Sequence, residues 1–175
     1  MSETGSIPQT FVTLIGSSAP EPDAVQAAEE LGALIASSGL GLVTGGRGGV
    51  MEAVARTHSE AGGLSIGLLP GTDNQEANPH SSIRLPTGLG HMRNLPNVLA
   101  GAGVIVVGGG PGTLSELAFA LIYSRPVLML SYLAGVSAIQ AQTLEAISPG
   151  ACVHYIQSRP ELAHEFLVWQ KTLRV

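Results

Sequence analysis

Residues 103–117 read Gly-Val-Ile-Val-Val-Gly-Gly-Gly-Pro-Gly-Thr-Leu-Ser-Glu-Leu, a β-branched run followed by a cluster of glycines and then an aliphatic helical pattern. A short apolar run bounded by glycine fits a fully buried strand. The unit it predicts is strand, glycine loop, helix. Backbone N–H groups at such a junction converge on one point, where the helix dipole also favours negative charge. Glycine allows the tight turn and lets a ligand approach the backbone closely. The expectation is an anion site, for a phosphate, built on Gly109, Gly110, Gly112 and Thr113. The same residues allow a local reading. Thr113 and Glu116 have the Thr-x-x-Glu spacing of a capping box, which would leave both satisfying helix amides only. Spacing does not choose between the two.

The rest of the chain alternates in kind. Phe11–Ile15 is predicted as the first strand and ends in Gly16-Ser17-Ser18, where Ser17 is either an anion donor or a turn former. A helix over 22–37 carries an apolar stripe of Val25, Ala28, Leu31, Leu34 and Ile35, and Gly39 suits its C-terminal cap. Residues 40–43 form a second strand, which runs into Thr44-Gly45-Gly46-Arg47-Gly48-Gly49. This second strand–glycine–helix junction makes Gly45 and Gly46 candidate ligand contacts. Arg47 is either an anion contact or an exposed loop arginine.

A helix over 49–61, a strand over 64–69, a polar loop over 72–81 and a short strand over 82–86 come next. The pattern from 93 to 100 is helical, with Leu95, Val98 and Leu99 facing inward. Arg93 sits at its start, suited to clamping a phosphate or carboxylate bidentately or to pairing with Glu116. Further helices are expected at 113–123, 136–147 and 160–173, with strands at 104–107, 126–130 and 151–156. The 113–123 helix is apolar nearly all round, which favours a subunit contact.

Alternating strands and helices specify an α/β fold. The prediction is a single-domain, Rossmann-like, doubly wound parallel sheet with helices on both faces, spanning 11–175 after a lead-in at 1–10. Ligands bind such sheets beyond the carboxyl ends of the strands, at the point where strand order reverses. Ser17, Gly45, Gly46, Arg93, Gly109, Gly110, Gly112, Thr113 and Glu116 are therefore expected around one crevice.

Composition narrows the chemistry. Charged residues make up 12% of the chain and mean hydropathy is +0.31, which suits a domain that hides surface in a homo-oligomer. A net charge of −5 argues against general nucleic-acid binding. Cys152 is the single cysteine, so neither a disulfide framework nor a cysteine zinc cluster is expected, and no metal site is predicted. The only lysine is Lys171, in a polar segment, which removes a pyridoxal-phosphate lysine and a P-loop lysine. The first strand is not followed by Gly-x-Gly-x-x-Gly, so NAD binding of the usual kind is unsupported. With no secretory pattern and no apolar run near the ~18 residues that span a bilayer, a soluble, cytoplasmic protein is expected.

Thr44-Gly45-Gly46 to Glu52, Pro70-Gly71, Thr87-Gly88 to Asn94 and Gly108 to Glu116 resemble the LOG-like (Lonely guy) superfamily, once misassigned as lysine decarboxylases. The resemblance covers roughly residues 11–130. LOG enzymes are phosphoribohydrolases that split cytokinin riboside monophosphates into base and ribose 5-phosphate. Their hallmark is Pro-Gly-Gly-x-Gly-Thr-x-x-Glu, preceded by Met-His-x-Arg-Lys. Here Gly109, Gly110, Gly112, Thr113, Glu116, His91 and Arg93 match, while Gly108, Gly90 and Asn94 replace the proline, methionine and lysine. The departures are more similar to a branch with Thr-Gly-x-Gly-x-x-Arg-Asn, which includes molybdenum cofactor carrier proteins.

Two functions follow from the resemblance. One is a carrier that binds a phosphate-bearing molecule, molybdenum cofactor (molybdopterin), without turnover. The other is a hydrolase of a nucleoside 5′-monophosphate such as AMP, with Glu116 and Arg93 as catalytic groups. Neither needs a further cofactor for catalysis, and neither is a lysine decarboxylase.

Overall fold

The computed structural model describes residues 7–173, so the first six residues of the expected lead-in lie outside the described residues. Seven strands form one sheet: β1 (Phe11–Gly16), β2 (Gly41–Thr44), β3 (Ser65–Leu69), β4 (Ile83–Pro86), β5 (Val104–Val107), β6 (Val127–Leu130) and β7 (Val153–Ile156). Their order is β4-β3-β2-β1-β5-β6-β7, and every pair is parallel. The helices are α1 (Pro22–Ser37), α2 (Val50–Glu60), α3 (Asn94–Ala100), α4 (Pro111–Ile122), α5 (Ala141–Ile147) and α6 (Leu162–Trp169). This is the doubly wound α/β sheet that the alternation predicts.

Strand periodicity divides the core into two layers. Leu14, Ile105 and Val107 pack with α1, α2 and α6, where Phe166 and Trp169 are wholly buried. Their neighbours Ile15, Val104 and Val106 pack with Val98 of α3, Leu117 of α4 and Leu144 of α5. The strand order reverses between β1 and β5, whose last residues Gly16 and Val107 lie side by side. A Cβ at Gly16 would collide with the Val107 carbonyl, so the two strand-end loops leave the sheet in close contact.

Five elements depart from their sequence pattern. The buried stripe of α1 is Ala24, Ala27, Ala28, Leu31, Gly32 and Ile35, with Val25 and Leu34 only half-buried. One cause is the α1–α2 crossing: a Cβ at Gly32 would strike Thr57 and the Val54 carbonyl, so the closest point of the crossing admits no side chain. In α3, Asn94, Asn97 and Val98 point inward, whereas Leu99 is exposed and Leu95 half-buried. The expected 136–147 helix is a 3₁₀ turn at Gly135–Ala138 followed by α5. The expected C-terminal helix is α6 flanked by two short 3₁₀ turns, and Leu167 is exposed.

The start of α4 matters most. It begins at Pro111, whose missing N–H and fixed φ suit a first helical position, and Gly110 is its N-cap. Thr113 is therefore inside the helix, and the capping box does not exist. The helix is also not buried all round within the protomer, because Leu114 and Ile122 face outward. Among the described residues no helix is long and apolar enough to cross a membrane.

Candidate functional site

The β1 and β5 loops open a crevice of about 310 Å³ beyond the carboxyl ends of the strands. Ser17 and Ser18 come from β1, Arg47 and Met51 from the β2–α2 junction, and His91, Arg93 and Asn94 from the segment entering α3. Gly110, Pro111, Gly112, Thr113 and Glu116 close it along the first turns of α4. Gly108 and Gly109 both have positive φ, which turns the chain from β5 into the helix. The Gly108 amide donates to Ser137 Oγ at 2.7 Å and Ser137 Oγ donates to the Val106 carbonyl at 3.0 Å, which fixes the base of the loop. Among the described residues, the amides of Gly110, Gly112 and Thr113 donate to no backbone acceptor outside the helix, and the first turn supplies none within it. Free amides at a helix N-terminus present partial positive charge to the crevice.

Glu116 is held from two sides by one oxygen. Its Oε1 accepts from Arg93 Nη1 at 3.0 Å and from Asn97 Nδ2 at 2.8 Å. The ion pair is nearly closed to solvent, with the two side chains 11% and 8% exposed. Gly45 lies against the guanidinium: any Cβ there would collide with Arg93. Burial pushes the Glu116 carboxyl up, and Arg93 and Asn97 oppose it. Burial likewise pulls the Arg93 guanidinium down, against the stabilising charge of Glu116. Arg93 Nε and Asn97 Oδ1 are buried without a partner among the described residues, a rare condition that here falls beside a crevice.

Asn94 occupies the position where the resembling hydrolases carry lysine. Its Nδ2 donates to Ser115 Oγ at 2.7 Å, and Ser115 Oγ donates to the Gly112 carbonyl at 2.7 Å. The residue therefore ties α3 to the first turn of α4 and offers no charge. Asn97 escaped the sequence reading. It is wholly buried, and its carbonyl accepts from Thr13 Oγ1 of β1 at 2.8 Å. The available signal was the spacing Arg93-Asn94-x-x-Asn97, three polar residues on one face of an otherwise apolar helix.

The structure brings Ser17, Arg93, Gly110, Gly112, Thr113 and Glu116 to one crevice. It places three expected contacts elsewhere. Gly45 stands behind Arg93, and Gly46 packs on Gly67 and Leu69 of β3. Gly109 lines an adjoining hollow of about 190 Å³ with Gly108 and residues 133–135, and its carbonyl accepts from the Val136 amide at 3.0 Å. That hollow shares Ser17 and Ala19 with the crevice.

Comparison with known proteins places this geometry in context. The model of the SLOG cluster4 family matches residues 9–162. An uncharacterised protein of Archaeoglobus fulgidus is 39% identical over 119 residues, which is 68% of this chain and 78% of that protein. The structure of the molybdenum cofactor binding protein from the phototrophic bacterium Rippkaea orientalis is 34% identical, with a TM-score of 0.82 over 95% of this chain and 100% of that one. The molybdenum cofactor carrier protein of Chlamydomonas reinhardtii is 31% identical, with a TM-score of 0.80 over 93% of this chain and 99% of that one.

The shared oxygen makes Arg93, Glu116 and Asn97 one energetic unit. Arg93→Ala strands a buried carboxylate and is expected to cost about 3 kcal/mol in urea unfolding, the low end for breaking a buried pair. The Arg93→Ala/Glu116→Ala double variant removes the stranded charge, so its cost should fall clearly below the sum of the two single changes. Additive costs would show that the pair is not coupled.

Proposed function

The chain belongs to the SLOG cluster4 family, and on that premise we propose that it is a cytoplasmic, homo-oligomeric carrier that binds molybdenum cofactor by its phosphate without turning it over. The observation that carries this reading is the engagement of the two potential catalytic groups with each other: Glu116 Oε1 already holds both Arg93 and Asn97. The free amides of Gly110, Gly112 and Thr113, with Ser17 opposite, are then the groups left to take an anion. Arg93 and Glu116 shape the wall, Gly45 and Gly46 stand behind it, and Gly109 floors the adjoining hollow. The likeness to two proteins described as binding or carrying this cofactor, over nearly their whole length, supports the same ligand here.

One observation favours a second reading, a nucleoside 5′-monophosphate hydrolase. Glu116 lines the crevice and its carboxyl is pushed up by burial, as suits an acid–base group. AMP separates the two. For the carrier, incubation with AMP yields no adenine or ribose 5-phosphate, while calorimetry with molybdenum cofactor shows binding. Release of adenine that falls by ~10²-fold or more in Glu116→Gln would establish the hydrolase instead.

The oligomer rests on an exposed apolar face. Leu114 and Ile122 of α4 are 48% and 68% exposed, and Met92 and Leu99 add 76% and 37%. A second copy of the chain covering that face removes this area from water. Light scattering at micromolar concentration should give a dimer or tetramer, and a species of 17.9 kDa would contradict it.

A further inference from the structure

Among the described residues, three side chains of fixed formal charge line the crevice: Arg47, Arg93 and Glu116. Arg93 and Glu116 neutralise one another inside the wall, so Arg93 brings no net charge to a ligand. Arg47 is differently placed. Its Nε lies 3.1 Å from Glu76 Oε2, with the two side chains 44% and 62% exposed. An ion pair this open to water is worth about 0–1 kcal/mol, so a better anion displaces it easily. The charge of Arg47 is also felt at Arg93. Burial pulls that guanidinium down, Glu116 holds it up, and Arg47 pulls it down further, as expected of two cations facing one space.

The backbone under this pair is held independently of it. Asn78, buried in the 72–81 loop, donates from Nδ2 to the Arg47 carbonyl at 3.1 Å, and its amide donates to the Gly46 carbonyl at 2.9 Å. Its Oδ1 accepts from the Ser81 amide at 2.9 Å and the His80 amide at 3.1 Å. The loop that carries Glu76 is thus fastened to the β2–α2 junction through main chain and asparagine. The Arg47 and Glu76 side chains meet above that fastening and are free to part without disturbing it.

We infer that Arg47 is the cation that receives the ligand's phosphate dianion in the crevice, and that Glu76 is an internal anion that holds Arg47 until the ligand takes its place. The inference rests on the reading of the crevice as a phosphate site, and it adds the residue that supplies net charge there. The α4 amides fix the position of the phosphate, and Arg47 compensates its second negative charge, which neutral amides leave unmet. Glu76 sets a threshold: anions that hold arginine no better than a solvated carboxylate gain nothing by binding.

Calorimetric titration with inorganic phosphate at low ionic strength tests this on the full chain. Arg47→Ala should weaken phosphate binding roughly tenfold or more, the loss of one charge-assisted contact. Arg47→Lys should recover part of it. Glu76→Gln should tighten binding about two- to fivefold, and the gain should vanish in Arg47→Ala/Glu76→Gln. Both positions are exposed, so melting curves near wild type are expected to accompany these changes. Arg47→Ala binding within about twofold of wild type would overturn the inference, because a charge-assisted contact is worth more than that. A Glu76→Gln gain that persists without Arg47 would overturn the role of Glu76. Wild-type protein that binds no phosphate would instead overturn the phosphate reading of the crevice, and the inference with it.

Discussion

A single carboxylate oxygen joins three elements of this fold. Glu116 stands one turn inside α4, Arg93 and Asn97 come from the opposite wall at α3, and Gly45 of the β2–α2 junction presses on the guanidinium. Removing any member leaves a charge or a polar group buried without its partner, which costs more than the contact itself contributes. The unit thereby holds the α3 wall against α4, and β1 joins through Thr13 and the Asn97 carbonyl.

This pairing bears on the chemistry. Groups locked in mutual hydrogen bonds make poor proton shuttles and good walls, while amides at a helix start and an arginine on a glycine-flanked loop remain available. Parallel strands supply the placement, since β1 and β5 end together at the reversal of strand order and their loops diverge around a gap. The asparagine at position 94 fits the same picture. It braces the first turn of α4 through Ser115 and presents no cation to a substrate. This division of labour supports the proposed reading of the crevice as a binding site.

Strand and helix identities were legible because they depend on local period. All seven strands and the bounds of α1 follow from short, mostly apolar runs between turn residues, a helical stripe and Gly39. What tertiary contact decides was not. The tight α1–α2 crossing selects Ala24, Ala28 and Gly32 over the bulkier Val25 and Leu34 for the inner face. In α3 an apolar expectation put Leu99 inside, whereas a buried carboxylate on the neighbouring helix requires Asn97 there. The Thr-x-x-Glu spacing suggested a cap, but Pro111 starts the helix earlier and frees Glu116 for Arg93. The candidate site was readable as a set of residues, with the Arg93–Glu116 pair as one of two options for Arg93; the choice between those options and the pairing of Arg47 with Glu76 were not readable, because both depend on distance.

The central claim is that an anion binds on the α4 amides at the β1–β5 reversal. Its most direct test is amide-resolved NMR of the isotopically labelled protein during titration with inorganic phosphate. The account predicts that the Gly110, Gly112 and Thr113 resonances shift together, saturably and more than any others. Saturable shifts centred elsewhere, for example on the groove lined by Gln142, Glu145 and Tyr155 between α5 and β7, with those three amides unmoved, would contradict it.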